Sequence, residues 1–170
     1  MKRILSLGCL LAIAVVVAFA AGGKMKINSP AFQEGGTIPE KFSKKGNNVN
    51  PELRIAGVPA EAKSLALIVD DPDAPGGLFT HWLVWNIDPK TSEIGEGRVP
   101  KAAVQGKNDF GDVGYGGPQP PSGTHRYFFK IFALDKSVDL KSGAKRNEVD
   151  AAIKGHVIAQ GELIGKYSKK

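Results

Sequence analysis

Three stretches of the sequence have the residue pattern of β-strands. Residues 64–69 form a continuous apolar run that ends at acidic residues, as a buried central strand does. Residues 125–134 are rich in aromatic side chains, which are common in strands. Residues 81–87 alternate in character, which predicts a strand with two different faces. The predicted faces are His81, Leu83, Trp85 and Ile87 on one side and Trp82, Val84 and Asn86 on the other.

One helix is predicted near the end of the chain, where apolar residues recur at helical spacing behind acidic ones. Its expected residues are the stripe Val149, Ile153 and Val157, the N-terminal acids Glu148 and Asp150, and Ser142 or Asn147 as the N-cap. Gly155 and Gly161 interrupt its continuation, so residues 158–167 are predicted to form a closing strand. Residues 93–121 contain many glycines and should be mostly loop. Many strands and one late helix predict a mainly β protein, a β-sandwich with peripheral helices.

The first twenty residues have the pattern of a secretory signal. Lys2 and Arg3 precede an uncharged apolar stretch that closes with Ala18-Phe19-Ala20, a small-residue cleavage pattern. A retained membrane anchor is the alternative, although the stretch is short for a span, which needs roughly 20 residues. We expect residues 1–20 to be a signal peptide and residues 21–170 to form one domain. The protein would then be exported, periplasmic or secreted, with no transmembrane span after cleavage.

Charge and cysteine content narrow the classes of function. Loss of Lys2 and Arg3, with no acidic residue, lowers the formal net charge from +6 to +4. No long Lys/Arg run is present, so nucleic-acid binding is not expected. The only cysteine, Cys9, lies in the predicted signal, which excludes a thiol nucleophile or thiolate metal site in the mature chain.

Four polar residues are predicted to meet where strands end. His125 and Tyr127 are two apart on one strand and project together, while Arg126 turns away. His81 opens its own strand, and Asp71 closes another just before a proline turn. Imidazole and phenol groups donate hydrogen bonds to anions, and a carboxylate favours the charged histidine. Glycine-rich backbone could add N–H donors.

Each of these residues alone also has a structural explanation, such as turn chemistry or a half-exposed strand face. A hydrolase using His81 or His125 as the base is an alternative, but no G-x-S-x-G nucleophile elbow is present. A metal site at Asp71, Asp73, His81 and His125 is another alternative, without a strong ligand spacing. Taken together, these residues favour the interpretation of a pocket for phosphate-type anions.

Two long motifs resemble the signatures of the phosphatidylethanolamine-binding protein family, also called Raf kinase inhibitor-like proteins. The first comprises residues 70–75 (DDPDAP) and 81–86 (HWLVWN). The second resembles the bacterial and archaeal branch and comprises residues 108–111 (NDFG), 114–118 (GYGGP) and 123–127 (GTHRY). Shorter matches occur at residues 28–32, 36–39 and 155–157.

This resemblance implies a Greek-key β-sandwich with a small pocket for phosphate or a phospholipid head group. By motif position the anion-binding residues would be Asp71, His81, His125 and Tyr127. The implied pocket wall is Ala74, Pro75, Phe79, Gly116, Gly117, Pro118, Pro120 and Pro121. The resemblance implies a non-enzymatic protein with no catalytic residues, no cofactor and no metal. A modulator of a protein partner, such as an exported protease or a kinase pathway, is the alternative.

The sequence departs from the family pattern in two places. Cysteines found in many bacterial relatives are absent from residues 43–46 and 117–121, so any disulfide that relatives form there is missing. The aromatic residue two places before the histidine is Phe79, which leaves the fine shape of the ligand site open. Relatives suggest a cis Ala74–Pro75 bond, whereas only about 5% of X-Pro bonds are cis, so the isomer stays open.

Overall fold

The computed structural model describes residues 23–169, and the predicted signal segment 1–20 lies outside these described residues. No helix in the described part of the chain is long and apolar enough to cross a membrane. The elements in chain order are the strands β1 (Gly23–Lys24), β2 (Lys26–Asn28), β3 (Leu53–Ala56), β4 (Ser64–Asp71), β5 (Phe79–Ile87), β6 (Glu93–Ile94), β7 (Val104–Gln105), β8 (Thr124–Leu134), the helix α1 (Arg146–Ile153) and the strand β9 (Val157–Ser168). A short 3-10 helix covers Glu40–Phe42.

The strands form two sheets. The larger sheet has the order β1-β9-β8-β4-β5-β7, and the smaller has the order β2-β3-β6. β8 returns after a long connection and lies beside β4, which gives the spatial order of a Greek key. The prediction of a mainly β sandwich is therefore confirmed.

The larger sheet is covered on both faces. One face packs against the smaller sheet through a core that includes Ile27, Leu67 and Phe129. The other face packs against α1 through a core that includes Ile68, Trp85 and Val149. Every residue of β4 is buried because both of its faces are covered, and this is why its sequence is a continuous apolar run.

β5 contradicts the simple alternation predicted for residues 81–87. Its pairing with β4 shifts register twice, and at each shift β5 carries one residue more than its partner. One extra residue falls at His81 and the other near Asn86, whose φ is 56°. A bulge turns the strand over. His81 and Ile87 therefore lie on the face of Trp82 and Val84, not on that of Leu83 and Trp85.

The helix differs from its prediction at both ends. Its N-cap is Lys145, whose backbone N–H donates to Glu148, and neither Ser142 nor Asn147 has this role. Val149 and Ile153 are buried as predicted, but Val157 opens β9 and is exposed. The left-handed Gly155 ends the helix before that point. The predicted closing strand is confirmed by β9, and residues 93–121 hold only the two-residue strands β6 and β7.

Candidate functional site

The ends of β4, β5 and β8 bring the four predicted anion-binding residues together. Asp71, His81, His125 and Tyr127 are each no more than 6% exposed. Asp71 contacts His125 through a hydrogen bond, and the rings of His81 and Tyr127 lie 5.1 Å apart, edge to face. Residues separated by more than fifty positions therefore form one buried polar group.

Asp71 holds His125 in a fixed orientation. The imidazole Nδ1 lies 2.7 Å from Oδ2 of the carboxylate. The other carboxylate oxygen, Oδ1, accepts the backbone N–H of Asp73 at 2.8 Å, in the turn after β4. Both carboxylate oxygens are thus engaged, and the ring of His125 can meet a ligand only through Nε2.

The bulge in β5 determines where His81 points. Its Nδ1 lies 2.6 Å from the carbonyl oxygen of Gly116, and its ring packs among the rings of Phe79, Phe110 and Tyr127. Burial lowers the pKa of His81, although the Gly116 carbonyl and the charge of Asp71 act in the opposite direction. A carbonyl oxygen cannot donate, so Nδ1 carries the proton and Nε2 of the neutral ring is an acceptor.

The hydroxyl group of Tyr127 is buried and has no hydrogen-bond partner among the described residues. Burial, followed by the charge of Asp71, raises the pKa of this phenol and keeps it protonated. The Asp71 carboxylate and the backbone of Gln119 are close enough to influence that pKa, but neither makes a hydrogen bond of normal geometry. An unsatisfied buried hydroxyl costs about 1–3 kcal/mol, and such a group is commonly completed by a ligand or water.

The glycine loop forms one side of the site for a steric reason. A Cβ on Gly116 would lie 2.5 Å from the ring of Phe110, and one on Gly117 would lie 2.2 Å from the carbonyl oxygen of Phe42. Their backbone N–H groups donate to the His81 carbonyl and the Asn48 side chain. The expectation that glycine N–H groups serve a ligand is therefore wrong for these two positions.

The remaining predicted wall residues lie in the proline loop, at the start of β5 and in the turn after β4. Pro118 and Pro120 are buried, whereas Pro121 is exposed, and Phe79 stacks on His81. Ala74 and Pro75 lie in the turn after β4, where Pro75 is exposed, and their peptide bond is trans. Asp73 fastens this turn to β8 through a two-pronged ion pair with Arg126.

Several residues that shape the site were not predicted as part of it. Asp109 accepts the Thr80 N–H at 2.6 Å and fixes the bulged end of β5. Phe110 stacks on both Phe79 and His81, and the Lys44 ammonium lies 4.6 Å from its ring centre. Residues 108–111 did carry a family motif, which was the available signal, but their pairing with β5 is a long-range contact.

Other polar groups lie away from this site. His156 pairs with Asp135 at 2.8 Å on the surface. Within residues 23–169, no cluster of three or more His, Cys, Asp or Glu could hold a metal ion. A wide cleft at the other end of β4 and β5 is lined by Ser64, Ile87 and surface lysines. It is open to solvent and lacks a buried polar group without a partner, so we place the candidate site at His81 and His125 instead.

Comparison with known proteins identifies the family of the chain. A family model described as phosphatidylethanolamine-binding protein matches residues 28–168. A UPF0098 protein of Methanothermobacter thermautotrophicus is 48% identical over 150 residues, covering 85% of this chain and 99% of the relative. A UPF0098 protein of Pyrococcus horikoshii is 46% identical over 180 residues, covering 98% of this chain and 85% of the relative.

Two solved structures are also similar. The crystal structure of CT736 from Chlamydia trachomatis, described as a homologue of phosphatidylethanolamine-binding protein, superposes with a TM-score of 0.82 and 43% identity. That of E. coli YbcL, described as a new member of the mammalian family, has a TM-score of 0.82 and 32% identity. Each covers 86% of this chain and 99% of its own.

Proposed function

Because the chain belongs to the phosphatidylethanolamine-binding protein family, we propose that it is a non-enzymatic binding protein for phosphate-type groups. The ligand would be free phosphate or a phosphorylated head group, held by His81, His125 and Tyr127. The observation that carries the proposal is the Tyr127 hydroxyl, a buried donor without a partner beside two imidazoles. An anion that accepts from this hydroxyl would satisfy it.

The site has hydrogen-bonding atoms available for a phosphate group. Nδ1 of each histidine is already bonded within the protein, so Nε2 of each ring remains for a ligand. Asp71 bonds Nδ1 of His125, so Nε2 of a protonated His125 ring would donate a charge-assisted hydrogen bond to the anion. Asp71 would thus act on the ligand through His125 and would not contact the anion itself.

The Tyr127 hydroxyl also leads us to propose binding in preference to catalysis. Burial raises the pKa of Tyr127, which makes this group a stable donor and a poor nucleophile. The Asp71–His125 pair resembles a general-base arrangement, so hydrolysis is the alternative to test. Turnover of phosphate and carboxylate esters by the purified protein would contradict the proposal.

Calorimetric titration with inorganic phosphate and phosphoethanolamine tests the binding function. We expect saturable binding by the wild-type protein and at least a tenfold loss in His125→Ala. His156→Ala is the matched control, since His156 also pairs with an aspartate but lies on the surface away from the site. Absence of binding by the wild type, or equal binding by His125→Ala, would contradict the proposal.

We also propose that residues 1–20 direct export and are removed. N-terminal sequencing of protein recovered from the periplasm or medium is expected to begin at Ala21. Recovery of an intact Met1 on protein in the cytoplasm would contradict this part of the proposal.

A further inference from the structure

We infer that the pocket selects oxyanions that carry a P–OH group, and therefore binds inorganic phosphate and singly protonated phosphate monoesters over sulfate and phosphate diesters. This inference rests on the proposed function and specifies its ligand. It follows from a hydrogen-bond acceptor in the site, which a purely accepting anion cannot satisfy.

The acceptor is Nε2 of His81. The Nδ1 proton is held by the Gly116 carbonyl at 2.6 Å, so the neutral ring presents a lone pair at Nε2. Its surroundings oppose a second proton, because the ring is 3% exposed and packed among Phe79, Phe110 and Tyr127. Burial accordingly lowers the pKa of His81.

The second consideration is the charge of the site. His81 faces two carboxylates, Asp71 from β4 and Asp109 from the loop before β8. His125 faces Asp71 and pairs with Tyr167 across β9, while Asp73 and Arg126 neutralise each other at the rim. With His81 neutral, the charge of Asp71 would offset that of a protonated His125. The site therefore supplies hydrogen-bond complementarity and little net positive charge.

A phosphate group with one P–OH matches this arrangement. Its hydroxyl can donate to Nε2 of His81 while its other oxygens accept from Tyr127 and His125. Sulfate at neutral pH and phosphate diesters have oxygens that only accept, which leaves the His81 lone pair facing a negative oxygen. Sites built to hydrogen-bond a ligand hydroxyl reject analogues without it by about 10⁴-fold or more. We expect at least a hundredfold preference here.

Calorimetry at pH 7 with inorganic phosphate, sulfate and glycerophosphoethanolamine tests the selectivity. The first is expected to bind at least a hundredfold more tightly than the other two. The diester carries the head group of phosphatidylethanolamine, so it separates a lipid source from a free phosphate source. Equal binding of sulfate or of the diester would overturn the inference and leave the proposed function standing. Absence of binding by all three would overturn the proposed function itself.

A pH comparison gives a second readout on the wild-type protein. Phosphoethanolamine loses its P–OH proton at a pKa of about 6, whereas inorganic phosphate still carries one P–OH at pH 8. Raising the pH from 6 to 8 is therefore expected to lower the affinity for phosphoethanolamine at least tenfold more than the affinity for inorganic phosphate. An unchanged ratio of the two affinities would contradict the inference.

The variant His81→Gln assigns the acceptor. A glutamine amide can present either a donor or an acceptor to the ligand, so sulfate is expected to come within tenfold of phosphate. Discrimination that stays at the wild-type level would overturn the role of His81. The wild-type measurements above remain decisive even where this variant folds poorly.

Discussion

Asp70 and Asp71 are neighbours at the end of β4, and they face opposite sides of the larger sheet. Asp70 faces α1, where Arg146 and Lys130 both bond its carboxylate. Asp71 faces the smaller sheet, where its side-chain partner is His125. Two adjacent, buried carboxylates thus receive different kinds of partner.

The difference separates a structural ion pair from a binding site. Burial raises the pKa of Asp70, and two permanent cations from its own chain act against this shift, so the group is complete as it stands. Beside Asp71 the partner is a titratable imidazole, and the nearby Tyr127 hydroxyl stays unsatisfied. The Asp70 carboxylate is thus satisfied within the protein, whereas the group around Asp71 and Tyr127 would be completed by a ligand.

The largest expected effect is on the Asp70 side. Arg146→Met leaves a buried carboxylate with Lys130 alone, and removing one partner of a buried pair costs roughly 3 kcal/mol or more of unfolding free energy. Arg126→Met is the matched control, because Arg126 also bonds an aspartate but its side chain is 51% exposed. We expect that variant to lose much less stability, because an exposed ion pair contributes little. Urea denaturation measures both, and similar losses in the two variants would contradict the distinction.

Two tyrosines, the half-buried Tyr115 and the buried Tyr127, show the same difference with a smaller expected effect. The hydroxyl of Tyr115 donates to the Phe42 carbonyl at 3.0 Å, whereas that of Tyr127 has no partner among the described residues. Tyr115→Phe is expected to destabilise the protein by about 1 kcal/mol or more. Tyr127→Phe should leave its stability unchanged or higher, yet weaken phosphate binding about tenfold, or about 1.4 kcal/mol.

Thermal unfolding and phosphate calorimetry on the two variants check this reversal. A Tyr127→Phe protein that loses stability as Tyr115→Phe does would show that the hydroxyl already has a partner. Unaltered phosphate affinity in Tyr127→Phe would remove this hydroxyl from the site.

The smallest expected effect is a pH dependence on the Asp71 side. The folded-state pKa of His81 lies below its unfolded value of 6.5, so the unfolded state takes up a proton first as the pH falls. The stability associated with His81 is present above pH 6.5 and is lost as the pH falls through the folded pKa. The slope is at most about 1.4 kcal/mol per pH unit. Urea denaturation between pH 7.5 and 5 should show that His81→Gln loses less unfolding free energy than the wild-type protein as the pH falls. An equal loss in the variant and the wild type would contradict this role of His81.

The sequence pattern predicts most of the fold because buried strands and the apolar positions of α1 follow local periodicity. Residues 64–69 and Val149 are examples where burial alone explains the residue type. The faces of His81 and Ile87 could not be predicted in this way, since each depends on a bulge in β5. A single extra residue reverses the alternation. Asn86 is of a residue type that tolerates the left-handed backbone of its bulge, but no residue type marks the bulge at His81.

The site shows a similar division. The spacing of His125 and Tyr127 places both on one face, and their common burial agrees with that prediction. The ion pair of Asp70 with Arg146 was missed because its partners are 76 positions apart. The hydrogen bonds that the Gly116 and Gly117 N–H groups donate within the protein were also not predicted, since their acceptors are a carbonyl and a side-chain amide far away in the sequence. Long-range pairing of this kind leaves no periodic signal in the sequence.

NMR of the imidazole nitrogens shows whether His81 and His125 contact phosphate through Nε2. The chain has three histidines, so His156 serves as an internal reference in the same spectrum. We expect Nδ1–H for His81 in the free protein and saturable shifts of Nε2 in His81 and His125 as phosphate is added, with His156 unchanged. Shifts of equal size in all three histidines, or none in His81 and His125 at saturating phosphate, would contradict it.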